Sequence, residues 1–586
     1  MKAILKEQTT TIIDRLSYYA QAHPHRVAYE FLWDRGQCES ISYQQLEKRV
    51  RSLAALLQTR AAAGDRALLM YSYGLEFVSA FLACLCAGII AVPTPAVSRS
   101  RKTQRLKTIL DDARPKLILT TAELTSSLDS ALTRDTTRDT DDCAIISTDQ
   151  IESSESHSAR PALSADTVAY LQYTSGSTSA PKGAIITHGN IIANCKAAVA
   201  GFDFSPESVM VSWLPLFHDM GLLGNILVPL YEGYLSVMMS SNAFIQSPVR
   251  WLQAITKYRA TCAGGPNFSW DYCVRMVSDN DKQGLDLSSL MTAFNGAEPI
   301  RAETIKRFCE AFAAQGFRPE AAFPCYGMAE ATLFVSGGPN NRGALISNIS
   351  NAAIEKNKVV AVSAEDEDAR QIVSCGRVWE DTEALIVNPE TREVCAPDEV
   401  GEIWVSGGSV GKGYWNRPEL SEEIFRAHLS SGEGPFLRTG DMGYMQNSEL
   451  FVTGRRKDMI IVRGRNIYPQ DIEATVERVT TFVKANSCAA LSVEVGGQEK
   501  VVLVVEADRR LARKLDSVRD GSDSRSAESE VAEIIGRITQ AVAEEHEILL
   551  HAISFVRPGA FPRTSSGKVQ RSLCRSRLSD GSLDVI

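Results

Sequence analysis

The stretch YTSGSTSAPKG, Tyr173–Gly183, constrains the fold more than any other part of the sequence. Such a loop can wrap phosphates, because glycine permits close backbone approach, hydroxyl and N–H groups donate to phosphate oxygens, and Lys182 adds a positive charge. The GxxxxGK pattern followed by Ser or Thr does not occur in the chain, which excludes the simplest kinase and ATPase interpretations. For the stretch taken alone, the alternative interpretation is a flexible Ser/Gly turn. The residues that it predicts at phosphates are Thr174, Ser175, Gly176, Ser177, Thr178 and Lys182.

Helical and strand patterns alternate on both sides of this loop. Amphipathic patterns such as Leu46–Gln58 are separated by short apolar runs such as Ala67–Met70 and Leu117–Leu119, which is typical of an α/β fold with mostly parallel sheets. The apolar stretch Phe77–Val92 is short for a membrane span of about 20 residues, and Pro93 closes it. It therefore predicts a buried helix followed by a buried strand.

The pattern changes after Asp381, where turn-linked strands without long helices predict a β-rich subdomain. The charged segment GRRKD, Gly454–Asp458, follows the last of these strands and predicts the boundary before a C-terminal domain. Beyond it, helical and strand-like segments alternate again, with a polar, mobile stretch expected at Lys514–Ser526. We expect a large N-terminal domain of layered, mostly parallel sheets over residues 1–456 and a small mobile α+β C-terminal domain over residues 457–586.

Composition narrows the possible partners and the location. The chain has 586 residues, of which 44% are hydrophobic, and its formal charge of -9 comes from 62 basic and 71 acidic residues. Without a basic field, nucleic acid and anionic membrane surfaces are not expected as partners. The 13 cysteines contain no CxxC pair, so we expect neither structural disulfides nor a zinc site. The first residues lack the apolar core of a secretory signal, which predicts a cytoplasmic protein without integral membrane association.

Five ordered motifs together resemble the signatures of the adenylate-forming enzymes, the superfamily of acyl-CoA ligases, luciferases and peptide-synthetase adenylation domains. They are YTSGSTSAPKG, YGMAE (Tyr326–Glu330), LRTGD (Leu437–Asp441), GRRKDMIIVRGRNIYPQDIE (Gly454–Glu473) and PRTSSGK (Pro562–Lys568). The segments LFHDMGLLG, GGPNFSWDYC and CYGMAEATLFVSGG are most similar to fatty acyl-AMP ligases. The resemblance implies that a fatty acid is activated with ATP and passed to a carrier protein.

The resemblance also implies the catalytic and nucleotide-binding residues. Lys568 would bridge the carboxylate and the α-phosphate during adenylation, and His218 would position the reactants. Glu330 would help to hold Mg²⁺, a hard cation that prefers oxygen ligands. The superfamily often has Thr where this chain has Ala329, so one hydroxyl contact to phosphate is missing. Lys457 would be the pivot of the C-terminal domain.

The remaining predicted residues belong to the nucleotide's base and sugar. Tyr326, together with Gly327, would pack on adenine, whose edge the segment Gly296, Ala297 and Glu298 would line. Asp441 would accept both ribose hydroxyls, with Arg455 as a second ribose contact. Without the motifs, Asp441 and Arg455 would be ordinary solvated charges, Lys568 a surface lysine and His218 a structural histidine.

The acceptor of the acyl group is the open question at this stage. The segment Gly337–Arg370 is longer than expected in a CoA ligase and resembles the insertion of acyl-AMP ligases. In that family it is thought to hinder rotation of the C-terminal domain and to favour stopping at acyl-AMP; a neutral surface insertion is the alternative. No carrier domain follows, so a carrier protein is expected in trans. A fatty acyl-CoA ligase and a non-catalytic acyl-nucleotide docking module stay open as alternatives.

Overall fold

The computed structural model describes residues 10–34, 36–96, 103–125, 143–152, 160–174, 181–462, 465–480, 482–483, 486–495, 498–520, 524–564 and 567–586. Two large sheets, flanked by helices, form the body of the molecule. In the nine-stranded sheet the central pairs are parallel and the pairs at both edges are antiparallel. Its strands, in spatial order, are Arg377–Val378, Phe334–Gly337, Ala322–Gly327, Thr292–Gly296, Cys262–Pro266, Val209–Ser212, Leu235–Met239, Val27–Leu32 and Cys38–Ser42.

The second large sheet has six strands, and all but its last pair are parallel. In spatial order they are Ala144–Ser147, Leu117–Thr120, Arg66–Tyr71, Ile90–Pro95, Val168–Thr174 and Lys182–Thr187. The expectation of layered, mostly parallel sheets is confirmed. The stretch Phe77–Val92 lies in the buried helix Leu75–Ala87 and the buried start of the strand Ile90–Pro95, as its composition predicts.

A four-stranded antiparallel sheet follows, as expected for the region after Asp381: Glu383–Val387, Gly401–Ser406, Leu437–Gln446 and Glu449–Arg455. The segment resembling an insertion carries a two-stranded sheet, Ile346–Ser350 with Ala369–Val373. Residues of this small sheet share one apolar cluster with Tyr444 and Phe451 of the four-stranded sheet and with Tyr468.

Beyond residue 459 the chain builds its own apolar clusters around a three-stranded sheet, Cys488–Val495, Gln498–Glu506 and Leu550–Val556. A short hairpin, Ile460–Val462 with Arg465–Ile467, precedes it. In its first part, the stretch Lys514–Ser526, expected to be polar and mobile, is helical. The helix Arg509–Arg519 runs through it, because Leu511 and Ala512 are buried against the cluster and Asp508 caps its first turn.

The helices pack on the sheets and connect their strands. In chain order the α-helices are Ile12–Ala22, Tyr43–Gln58, Leu75–Ala87, Thr103–Ala113, His188–Phe202, Asp219–Leu222, Val228–Glu232, Ser241–Gln246, Val249–Tyr258, Asn267–Met276, Ala302–Phe312, Asn351–Ile354, Pro418–Phe425, Pro469–Val479, Arg509–Arg519, Ser524–His546 and Arg571–Ser579. A π-helical turn, Leu223–Leu227, joins two of them into one continuous helical run. Among the described helices, none combines the length and apolar character required to cross a bilayer.

The strand and helix that follow the predicted phosphate loop show how local sequence fixes structure here. Thr187 ends the strand Lys182–Thr187 and caps the helix His188–Phe202: its hydroxyl accepts from the Asn190 N–H, and the Asn190 side chain accepts from the Thr187 N–H. This reciprocal cap satisfies two backbone donors that a helix start leaves free. The strand that follows the loop, Lys182–Thr187, is thereby fixed by its pairing with Val168–Thr174 on one side and by the capped helix at its end.

Candidate active site

A cavity of about 890 Å³ lies where the large body meets the loop near the C-terminus. Its lining includes the end of the strand Ala322–Gly327, the first half of the antiparallel strand Leu437–Gln446 and, from the other side, Thr564 and Lys568–Ser572. The carboxyl ends of parallel strands are where ligands bind in open α/β sheets. This cavity therefore brings distant segments of the sequence to one place.

Asp441 stands at the centre of one wall. Its carboxylate accepts the Tyr326 hydroxyl at 2.7 Å and pairs with the Arg455 guanidinium at 2.9 Å. The strand register places Asp441 directly opposite Arg455. Only 4% of Asp441 is exposed, yet the residue borders the cavity together with both partners. Burial and the neighbouring carboxylate of Asp441 raise the pKa of Tyr326 well above its usual value, so the phenol stays a hydrogen-bond donor.

Glu330 lies on a second wall, in the 3₁₀ turn Ala329–Ala331. Its Oε1 accepts the Tyr414 hydroxyl at 2.8 Å, and the Lys182 Nζ lies 5.3 Å from the centre of the Tyr414 ring. Burial raises the pKa of Glu330, while the Tyr414 hydrogen bond lowers it. A carboxylate desolvated in this way gains from a cation, either a metal ion or a charged side chain.

His218 caps the short helix Asp219–Leu222, with its Nδ1 2.5 Å from Asp219 Oδ1. Burial raises the pKa of Asp219, but the charges of His218 and Lys568 and a bond from the Met220 N–H lower it overall. Asp219 is thus held as a carboxylate beside His218 and Lys568. The imidazole and the carboxylate both border the cavity.

Lys568 reaches the cavity from the last part of the chain. The Lys568 N–H donates to the Thr564 hydroxyl at 3.0 Å and the Thr564 N–H donates to the Lys568 carbonyl at 2.8 Å, which closes a tight turn. Burial lowers the pKa of Lys568, opposed by the attraction of Asp219 and Glu298. The lysine therefore lies among carboxylates of the large body, although their positions in sequence are far apart.

The turn carrying Lys568 is seated on the large body by Phe268. A Cβ at Gly567, whose φ is +86°, would lie 3.1 Å from the Phe268 ring. The Phe268 N–H in turn donates to Glu298 Oε1 at 2.6 Å. Burial raises the pKa of Glu298, whereas this bond and Lys568 lower it. Glu298 thus links the start of the helix Asn267–Met276 to the lysine.

The segment Gly296–Glu298 follows the end of the strand Thr292–Gly296. Ala297 has a φ of +71°, a backbone conformation that non-glycine residues rarely adopt. Ala297 and Glu298 border the cavity. Neither Gly296 nor Gly327 has room for a side chain, since a Cβ would lie 2.8 Å from the Cys325 carbonyl and 1.9 Å from the Leu333 carbonyl, respectively.

The phosphate-loop prediction is only partly covered by the structure. Thr174 and Lys182 border the cavity and are cross-strand neighbours at the base of the loop. The predicted residues Ser175, Gly176, Ser177 and Thr178 lie outside the described residues. The Tyr173 hydroxyl donates to Asp112 at 2.7 Å, which ties the base of the loop to the helix Thr103–Ala113.

Lys457 lies in the turn between the strands Glu449–Arg455 and Ile460–Val462 and borders the cavity. The N–H groups of Asp458 and Met459 both donate to the Arg455 carbonyl. The segment predicted as a pivot is therefore a short connection between two sheets.

Three residues that contact the predicted site residues are not among those predicted from the sequence. Tyr414 has no motif around it and is found only through its contact with Glu330. Asp219 was visible in FHDMG, but only the folded chain places it near Lys568. Phe268 lies in the quoted segment GGPNFSWDYC, and its ring and N–H position the turn and Glu298.

Comparison with known proteins places this geometry in a family. The model of the AMP-binding enzyme family matches residues 16–415. The chain belongs to the AMP-binding enzyme family. A second model, the meiotically up-regulated gene 62 protein-like domain, matches residues 446–586.

Relatives within the AMP-binding enzyme family match along nearly their whole length. A medium-chain-fatty-acid–[acyl-carrier-protein] ligase, JamA of Moorena producens, is 41% identical and covers 99% of this chain and 97% of its own. A ligase of the same description, TtuA of Teredinibacter turnerae, is 33% identical, covering 100% and 96%. The fatty acyl-adenylate ligase of Legionella pneumophila, solved with acyl adenylate and pyrophosphate, is 36% identical with a TM-score of 0.75, covering 99% and 98%.

Proposed function

We propose that this protein is a fatty acyl-AMP ligase: it activates a fatty acid with ATP to an acyl-adenylate and transfers the acyl group to the thiol of an acyl carrier protein. The observation that carries this proposal is a single cavity of about 890 Å³ that holds both a cluster of charged groups and an apolar extension. Asp441, Arg455, Glu330 and Lys568 border the charged part. Apolar side chains border the extension: Ala198, Phe202, Phe204, Met210, Val228, Phe294 and Phe334.

The charged part suits a nucleotide. Asp441 is an acceptor already oriented by Tyr326 and Arg455, and a carboxylate can accept hydrogen bonds from two ribose hydroxyls. Tyr326 and Gly327 would contact adenine, with Ala297 and Glu298 along its edge and Gly296 behind them. Thr174 and Lys182, together with the loop Ser175–Thr178, would contact the phosphates.

In the first half-reaction a carboxylate oxygen of the fatty acid attacks the α-phosphorus of ATP. The new O–P bond forms as the bond to the β-phosphate oxygen breaks, and pyrophosphate leaves with that electron pair. Both reactants are anionic, so alignment and charge neutralisation supply most of the catalysis. Lys568 would supply a cation at the α-phosphate and the carboxylate, and His218 would position the acid beside it.

The residues that border the cavity offer magnesium one suitable ligand, Glu330. Glu330 offers a buried carboxylate oxygen that Tyr414 orients, and Mg²⁺ in nucleotide sites is commonly bound by one or two carboxylates plus substrate phosphates. The described residues contain no group of three or more His, Cys, Asp or Glu side chains arranged for a metal. Bound there, the ion would neutralise phosphate charge; the protein's part is to hold Glu330 in place.

In the second half-reaction the carrier's thiol sulfur attacks the acyl carbonyl carbon. A thioester forms, the acyl–phosphate bond breaks, AMP leaves and the thiol proton is released. We propose that residues 457–586 move as a unit about Lys457 between the two half-reactions, relative to residues 1–456. Ion pairs hold this unit in the observed pose, among them Arg301–Glu477 at 2.6 Å.

The segment Gly337–Arg370 supports a carrier over CoA as acceptor. Its Glu355 pairs with Arg465 at 2.7 Å, and its Arg370 pairs with Asp471 at 3.1 Å. Both partners lie in the C-terminal unit, so the segment restrains that unit directly. A restrained unit would slow the change of pose and let acyl-AMP accumulate until a carrier binds.

The experiment that tests the function supplies the protein with ATP, a fatty acid and either CoA or a phosphopantetheine-bearing acyl carrier protein. Mass spectrometry then follows acyl-AMP, acyl-CoA and acyl-carrier. We expect acyl-AMP without acceptor and acyl-carrier when the carrier is present, with little acyl-CoA. Abundant acyl-CoA would identify a CoA ligase instead, and absence of fatty-acid-dependent pyrophosphate exchange would identify a non-catalytic binding module.

A further inference from the structure

One face of a helical run forms a continuous wall of the cavity. Met220, Gly224 and Val228 all border the cavity, and residues four apart lie on the same side of a helix. The run begins directly after His218 and includes the π-helical turn Leu223–Leu227. π-turns within helices are rare and occur frequently at functional sites. The wall thus leads away from the histidine proposed to position the carboxylate.

The two glycines of this run serve different purposes. A Cβ at Gly221 would lie 2.0 Å from the Pro215 carbonyl oxygen, so packing requires that glycine. A Cβ at Gly224 would meet nothing within 4 Å, although its neighbours Leu223 and Asn225 are buried. A glycine inside a helix costs about 0.5–1 kcal/mol relative to alanine. Contacts with neighbouring residues do not require a glycine at position 224, so they do not explain why the helix carries this cost. The open space beside Gly224 explains it, because a side chain at this position would fill that space.

Another part of the same cavity lining is apolar and aromatic. Phe202 stacks on Phe204 with ring centres 5.2 Å apart and contacts the rings of Phe294 and Phe334 edge-on. All four residues border the cavity. An acyl chain is a ligand that such side chains accommodate, because the four aromatic rings and the apolar side chains of Met220 and Val228 offer it no charged group to desolvate.

We propose that Gly224 is a specificity-determining position: the space left by its missing side chain holds the middle of an acyl chain of medium length that lies along Met220, Gly224 and Val228. This inference rests on the proposed function. It predicts that the side chain at position 224 limits how far an acyl chain can extend, without affecting the nucleotide.

The length of the wall sets the size of the chain. Val228 lies eight residue steps after Met220, which is about 12 Å along a helix at about 1.5 Å per step. An extended chain advances about 1.2 Å per bond, as the reach of a polypeptide shows. The wall therefore matches roughly ten bonds, with Gly224 near the middle.

The test replaces Gly224 with leucine and measures acyl-AMP formation by mass spectrometry over straight saturated acids from butanoate to hexadecanoate. The wild type should prefer chains near decanoate. Gly224→Leu should retain hexanoate and lose decanoate and longer acids by about 10- to 200-fold in kcat/KM, the range for one misplaced group in an apolar pocket. Gly224→Ala should shift the profile in the same direction by less.

Gly536 provides the matched control. It also lies inside a helix, Ser524–His546, and a Cβ there would meet nothing within 4 Å, but it is exposed and does not border the cavity. Gly536→Leu should leave the length profile unchanged. An unchanged profile for Gly224→Leu, or an equal loss at every length in Gly224→Ala, would overturn the inference. A wild type that forms no acyl-AMP from any acid would instead refute the proposed function.

Discussion

Replacing Asp441 with asparagine separates nucleotide binding from acid binding. The change keeps the shape of the side chain and removes one acceptor oxygen and the charge. Asp441 is 4% exposed and holds Tyr326 and Arg455 through bonds of 2.7 and 2.9 Å, so bulk water cannot readily replace it. A hydrogen bond to a charged group contributes about 1.5–3 kcal/mol.

Because asparagine retains one acceptor, we expect Asp441→Asn to lose about one such contact. A loss of about 2 kcal/mol corresponds to a roughly 30-fold increase in the KM for ATP. Arg455 would lose its partner, but its side chain is 49% exposed and can be solvated. The KM for the fatty acid should change little. Steady-state pyrophosphate release, with each substrate varied in turn, gives both constants.

Glu449→Gln is the control for general damage to the sheet. Glu449 is 5% exposed and pairs with Arg342 at 2.6 Å, but it lies outside the cavity lining. The pairing lowers the pKa of Glu449 despite burial, so this carboxylate stabilises the fold above its unfolded pKa and the variant should melt earlier at neutral pH. An unchanged KM for ATP in Asp441→Asn, or equal kinetic effects in the two variants, would refute the ribose assignment.

Three further predictions concern the other walls and the pivot. Tyr414→Phe removes the hydrogen bond that orients the Glu330 carboxylate. At about 1 kcal/mol per lost hydrogen bond, the magnesium concentration needed for half-maximal pyrophosphate release should rise by about 5- to 10-fold. An unchanged magnesium requirement would contradict the role of Glu330. Burial lowers the pKa of Lys568, so its charge is present below that pKa and is lost as pH rises through it. We therefore expect kcat/KM for ATP to fall on the alkaline side at a lower pH than it would with an exposed lysine. Lys568→Arg should abolish that fall, because arginine stays charged. Lys457→Pro should spare acyl-AMP formation and slow acyl transfer to the carrier; equal loss of both half-reactions would count against the pivot.

The sequence predicts the elements of this fold well where short apolar runs are fully buried and where a helix is clearly amphipathic. The runs Ala67–Met70 and Leu117–Leu119 lie in observed strands, and Leu46–Gln58 lies within the helix Tyr43–Gln58. Such runs tolerate only one burial pattern. The stretch Lys514–Ser526 shows the limit, because the helix Arg509–Arg519 enters it. Leu511 and Ala512 are buried and Leu515 and Val518 pack against the same cluster, although most other residues of the helix are charged.

The candidate site likewise contains residues that the sequence predicts and residues that it does not. Motif residues such as Asp441 and Lys568 are recognisable, and the folded chain brings them to one cavity. Partners such as Tyr414 and Phe268 act through a hydroxyl, a ring face or a backbone N–H, and no local pattern predicts those contacts. Likewise, the difference between Gly221 and Gly224 depends on what a Cβ would meet in space. Single-sequence patterns carry periodicity and motif spacing but not these tertiary contacts.

The measurement that tests the account most directly is fatty-acid-dependent pyrophosphate release by Lys568→Met, compared with Lys514→Met, a lysine of the C-terminal unit that pairs with Glu530. Removing one preorganised charge stabiliser costs about 10²- to 10³-fold in rate. We expect a loss of that size for Lys568→Met, unchanged release for Lys514→Met, and retained transfer to the carrier when acyl-adenylate is supplied. Release at the wild-type rate by Lys568→Met would contradict the claim that this lysine completes the active site.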